Sequence, residues 1–131
     1  LSARRPDATM MIMIPSDWLP HRRESDDELV GYLAPVGDDF LPLTVFGYPL
    51  GVAADYLDAA ALLEAEGMAC LAEYWWFEPA AVGRGGDGYR VRIHEATPDR
   101  LTVVVDDFGV GADLGTRVDL PVPVTAGLTR L

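Results

Sequence analysis

Lysine, asparagine and glutamine do not occur in this chain of 131 residues, cysteine occurs once, and histidine occurs twice. Each absence excludes something. One thiol, Cys70, allows neither an internal disulfide nor a zinc site of several cysteines, and it suits a reducing cytoplasm. Positive charge is scarce: ten arginines face 21 acids, for a net charge of -11. Nucleic acid and anionic membrane surfaces draw on clustered bases, so neither is expected as a partner. Long apolar runs are missing too. "MMIMI" (Met10–Ile14) is too short for a signal-peptide core or a membrane span, even with Arg4 and Arg5 ahead of it. The missing amino acids, set against abundant Ala, Gly, Val, Asp and Pro, read as the codon usage of a GC-rich bacterial genome rather than as function.

What remains is ordinary for a globular domain: 50% hydrophobic and 24% charged residues. The expected division is an N-terminal extension over 1–14, partly disordered, and a single globular domain over 15–131. Pro15, Ser16-Asp17 and Pro20 make the start irregular, and Glu24–Glu28 ("ESDDE") is a polar lead-in. "ELVGYLAP" and "FLPLTVFGYPL" predict two strands joined at Val36-Gly37-Asp38-Asp39, with Pro42 marking an edge or a bulge. Ala53–Glu66 is built from helix formers. Asp55 and Asp58 stand where the helix dipole favours acids, and Gly67 stands where a helix is capped.

"MACLAEYWWFEP" reads as a strand because of its consecutive aromatics. Alternation puts Tyr74 and Trp76 on one face, Trp75 and Phe77 on the other. "YRVRIHEA" (Tyr89–Ala96) alternates most cleanly, with Tyr89, Val91 and Ile93 opposed to Arg90, Arg92 and His94. It turns through "TPDR" into "LTVVVDDF". Parity favours a register with Thr97 opposite Leu101, Ile93 opposite Val105 and Arg92 opposite Asp106. "TRVDLPVPV" alternates again. The expected order is β-β-α-β-β-β-β. The expected fold is α+β, mostly β, a strongly curved antiparallel sheet or small barrel of about six strands with one helix.

Motifs with catalytic letters lack the context that makes them chemistry. "GRGGDG" (Gly83–Gly88) is followed by a strand, not by the helix N-terminus a dinucleotide loop needs. "DDFGVGAD" (Asp106–Asp113) has neither the spacing of a calcium loop nor a kinase's phosphate-binding lysine. Ser2, Ser16 and Ser25 lie in no nucleophile elbow. Cys70 reads as a small core residue, with a Cys70–His94 dyad left open. Glu73 and Glu78 flank the aromatics and are the acids to inspect for a raised pKa. No catalytic residue, metal ligand or cofactor is assigned.

Candidate binding residues concentrate in two places. "DWLPHRR" (Asp17–Arg23) holds Trp18, His21, Arg22 and Arg23, either as an anion pocket or interface hot spot, or as an arm with Trp18 packed and the arginines paired to "ESDDE". The second reading is favoured. Elsewhere Trp75 and Trp76 accompany the stripe Arg90, Arg92 and His94. Guanidinium forks suit carboxylates and phosphates; against that stands simple cross-strand pairing of Arg92 with Asp106.

"SDWLPHRR", "GYLAPVGDDFLPLTVFGYPL" and "RVRIHEATPDRLTVVVDDFG", ending in "LPVP", together resemble a family of small actinobacterial proteins. That family carries a Trp-x-Pro-His-Arg-Arg start and a Val-Arg-Val/Ile hairpin. The resemblance runs from about Pro15 to Val124 and implies a GC-rich bacterial origin, with a native start near Met10, Met11 or Met13. No activity is assigned to that family, so it implies no site residue. The leading expectation is a non-catalytic binding or accessory module of the cytoplasm, acting through protein contact or self-association. The alternative is a small-molecule or anion-binding protein, or an enzyme, built on the aromatic strand and arginine stripe. A third reading is an acidic inhibitor or immunity-type protein for a basic partner.

Overall fold

Despite Pro20, the "DWLPHRR" segment is not an irregular arm. In the computed structural model, Leu19–Arg22 forms a strand, β1, antiparallel to β2 (Leu29–Val36), which turns into β3 (Asp39–Leu43). Gly37 takes φ +61 in that turn, the left-handed conformation a two-residue hairpin requires. The structure describes residues 14–107, 114–124 and 126–131. The extension up to Met13 and most of the "DDFGVGAD" turn lie outside the described residues.

Between His21 and Arg22 the β1–β2 register slips by one residue. That bulge lets Val30 and Leu33 both reach the core under the helix. Pro42 sits on β3, an edge of this three-stranded sheet, where a missing N–H is tolerated. The strand expected to run on from Leu43 instead turns back. Thr44 N–H donates to Tyr48 O at 2.9 Å, and Tyr48 N–H donates to Thr44 Oγ1 at 3.0 Å. The turn drives Val45 and Phe46 into the main core.

Helix α1 (Tyr56–Glu66) starts later than Ala53 because Asp55 caps it, its carboxylate accepting from Asp58 N–H at 2.9 Å. It buries Ala59, Ala60 and Leu63 against Val30 and Leu33. Gly67 follows the helix with an ordinary φ of -58, so it is no left-handed cap. Its small size is what matters: a Cβ there would lie 2.5 Å from Val30 O.

The next expected strand is also shorter. Ala69–Ala72 winds into a 3-10 turn, and only Tyr74–Phe77 forms β4. The "ACLA" stretch carries no β-branched or aromatic side chain to hold it in a sheet. β5 (Tyr89–Ala96), β6 (Arg100–Val105), β7 (Arg117–Pro121) and β8 (Leu128–Arg130) complete a five-stranded antiparallel sheet in the order β7-β6-β5-β4-β8. Its inner face supplies the main core, with Trp75, Phe77, Val91, Leu101, Val103 and Val105 at most 1% exposed.

The β5–β6 register differs from the expected one. The turn closes with Thr97 N–H on Arg100 O at 2.9 Å, and a bulge at His94 shifts the pairing once more. Ile93 therefore faces Val103 and Arg92 faces Val104. Two shifts of one residue preserve parity, so the apolar faces still coincide although the expected pairs do not.

The molecule is thus α+β and mostly strand. Among the described residues it has eight strands in two antiparallel sheets, not about six, and no closed barrel. Among the described residues β7 and β8 are the two edges of the larger sheet and do not pair with each other. Pro121 and Pro123 cannot donate to a ladder, and Val124 N–H goes to Phe46 O at 2.9 Å instead. No helix among the described residues is long and apolar enough to cross a membrane.

Candidate functional site

Alternation along the five-stranded sheet sends one set of side chains to its outer face. Trp76 stands between Thr129 of β8 and Arg90 of β5. Beside that row, Tyr74 faces Arg92, Arg92 faces Val104, and Val104 faces Arg117 of β7. Tyr74 is 44% exposed, and Thr129 and Arg117 are open to solvent.

The polar groups of this face are held in place. The Arg90 guanidinium lies over the Tyr74 ring, 4.3 Å from its centroid, close enough for a cation–π contact. Its Nε donates to Asp106 O at 2.8 Å, and its backbone N–H donates to Asp107 Oδ2 at 3.0 Å. Arg92 Nε donates to Asp106 Oδ2 at 2.7 Å. The expected Arg92–Asp106 pair is therefore present, as a diagonal contact rather than a direct cross-strand one. Trp76 Nε1 donates to Glu78 Oε1 at 2.6 Å. The glycine-rich loop packs against that indole: a Cβ on Gly88 would lie 2.6 Å from Trp76 Nε1. The loop's last glycine serves that close approach.

Two guanidiniums fixed through Nε beside an exposed tyrosine and a half-buried tryptophan form a surface suited to carboxylates, amide planes and aromatic rings. Glu73, a candidate for a raised pKa, is shifted the other way. Arg130 donates to both its oxygens, at 2.6 and 2.9 Å, and holds the carboxyl below its usual range. Cys70 is fully buried and donates to Gly67 O at 3.3 Å. Burial pushes its thiol up to about 11, so the dyad with His94, an exposed residue at the β5 bulge, has no thiolate to offer. Among the described residues no three of His, Cys, Asp and Glu are grouped to hold a metal ion.

Other candidates lie elsewhere. Trp75 belongs to the core, with its indole N–H on Cys70 O at 3.0 Å and its ring against Phe46 and Tyr48. Trp18 packs on Tyr32 of β2, with ring centroids 6.1 Å apart, not across the "YWWF" strand. His21 Nε2 donates to Glu64 Oε2 of α1 at 3.0 Å. Arg22 donates to Asp27 O at 3.0 Å, and Arg23 grips both Asp26 oxygens at 3.0 and 2.6 Å, lowering the Asp26 pKa. These residues stiffen the three-stranded sheet and its turn; they form no common pocket with Trp76 and Arg90. Two cavities of about 280 and 270 Å³ are lined instead by residues such as Val82, Leu120 and Pro123, and Leu29, Met68 and Leu71. Neither is lined by an arginine.

Val104 and Arg117 carry no motif of their own, and Asp107 stands out in the sequence only within "DDFGVGAD" and not as a partner of Arg90. Parity within "TRVDLPV" already set Arg117 opposite Val118 in direction. No local signal marks Asp107, which reaches Arg90 only because β5 and β6 pair. Comparison with protein-family models, with curated proteins and with solved structures finds no match to this chain, so the site rests on its own geometry.

Proposed function

We propose that this chain is a non-catalytic binding module acting through protein contact, with the outer face of the five-stranded sheet around Tyr74, Trp76, Arg90 and Arg92 as its contact surface. The observation that carries this reading is Arg90 stacked at 4.3 Å on a half-exposed tyrosine. Tyr, Trp and Arg dominate binding energy at protein interfaces. Side chains already held by Nε hydrogen bonds and stacking lose less conformational entropy when a partner docks. A broad sheet face fits a macromolecule better than a small ligand, which needs concavity. The single buried thiol supports placing the module in a reducing cytoplasm.

A photo-crosslinking residue at Val104, in the middle of the face, tests the reading in the native host. Val36, half exposed in the β2–β3 turn, is the control position. Discrete adducts at position 104, absent at position 36 and lost with Tyr74→Ala or Arg90→Ala, are expected. Equal labelling at both positions, or none at 104, overturns it.

A further inference from the structure

We infer that the partner of this face is a second copy of the same chain, an inference that rests on the binding reading above. The argument is the distribution of charge. The chain has 21 acids to ten arginines. Around Val104 the balance is closer: Arg90, Arg92 and Arg117 stand with Asp106, Asp107 and Asp119 at the outward side of three adjacent strands, and Glu78 lies beside them on Trp76, so three arginines face four acids. The Glu95–Arg100 pair at 2.9 Å adds no net charge to the same face.

Two molecules of net charge -11 repel each other through most of their surfaces. They meet with least repulsion where each comes nearest to local balance. The same face is also self-complementary. A twofold axis near Val104 brings Arg92 of one copy toward Asp106 of the other and reciprocally, as an isologous contact requires. Tyr74 and Trp76 then add aromatic area beside the exchanged pairs. Five strands at a spacing of about 4.8 Å give a face roughly 20 Å across. That is the small end of specific interfaces, so the dimer is expected to form reversibly, at concentrations on the order of micromolar.

Sedimentation of the purified chain over roughly 1 to 500 μM tests this. The expected result is a monomer–dimer equilibrium that tightens as ionic strength rises from low salt to about 0.15 M, because mutual repulsion is screened. Tyr74→Ala and Arg92→Glu should each weaken the dimer about tenfold or more, with circular dichroism confirming an intact fold. The exchanged double variant Arg92→Asp, Asp106→Arg should recover dimerisation lost in Arg92→Asp. A monomer at every concentration, or a dimer indifferent to all these variants, overturns the inference. If position 104 meanwhile crosslinks to a different protein, the self-association fails and the binding reading stands. If it crosslinks to nothing, both fail.

Discussion

Trp75 and Trp76 are adjacent in the chain and opposite in environment. Trp75 is 0% exposed, bonded to the Cys70 carbonyl and edge-on to Phe46 and Tyr48. Trp76 faces outward and is bonded only to Glu78 among its described polar contacts. Trp75→Ala is expected to cost about 3–5 kcal/mol, from the cavity and an orphaned buried carbonyl. Trp76→Ala should cost about 1 kcal/mol or less. Urea unfolding followed by circular dichroism measures both, and equal losses would contradict the parity of β4. That parity was legible in "YWWF". The burial of Trp75 was not, because alternation says which residues share a face without saying which face is covered. Trp18 shows the same limit: nothing local says which ring it packs on, and the pairing of the adjoining β1 with β2 brings it to Tyr32.

Elements are held together here by small residues and by one arginine. At Gly31, with φ +152, a Cβ would lie 2.1 Å from Leu43 O and 2.6 Å from Leu63 Cδ1. Gly31→Ala must push β3 and α1 away from β2, and a loss of about 3 kcal/mol or more is expected by the same unfolding assay. A loss under about 1 kcal/mol would mean that α1 does not pack as closely as described. At the other end, Arg130 ties β8 to Glu66 at 2.5 Å and to Glu73 at 2.6 Å. Solvent screens this cluster, so Arg130→Ala should cost only about 1 kcal/mol near neutral pH. The sign of its pH dependence follows from Glu73, whose pKa is lowered in the folded state from 4.5. That stabilisation is present above the unfolded value and is lost as pH falls through the folded one. The gap between wild type and Arg130→Ala should therefore close in acid below that value; a gap that widens in acid would refute the pairing. Helix α1 and the hairpins β2–β3 and β5–β6 could be read from periodicity and turn residues. The 44–50 turn and the 3-10 turn at Cys70 could not, because each is set by contacts with distant segments.

At the scale of the whole molecule, the chain excess of eleven acids works against compaction as well as against association. The described ion pairs are mostly exposed and worth little singly, while the repulsion acts across the entire surface. Added sodium chloride, up to about 0.15 M, is therefore expected to raise the melting temperature. Calorimetry measures this directly, and a fall with salt would show that the ion pairs outweigh the net charge. One cooperative transition is expected, because Val45 and Phe46, just past β3, insert into the core of the five-stranded sheet and join its fate to that of the smaller one.

Composition and alternation by themselves determined the acidic character, the dominance of strands, the single helix, and the sharing of a face by Arg90 and Arg92 and by Tyr74 and Trp76. Those are local properties, set by residue type and a period of two or 3.6. Only the tertiary structure decided that "DWLPHRR" is an edge strand, that the strands divide into two sheets without closing a barrel, and that Tyr74 and Arg90 come into contact. Strand partners are chosen by long-range hydrogen bonding and burial, to which a one-residue bulge or an edge proline contributes as much as any apolar run. The candidate surface exists because β4 and β5 pair, a contact that no short stretch of the chain encodes.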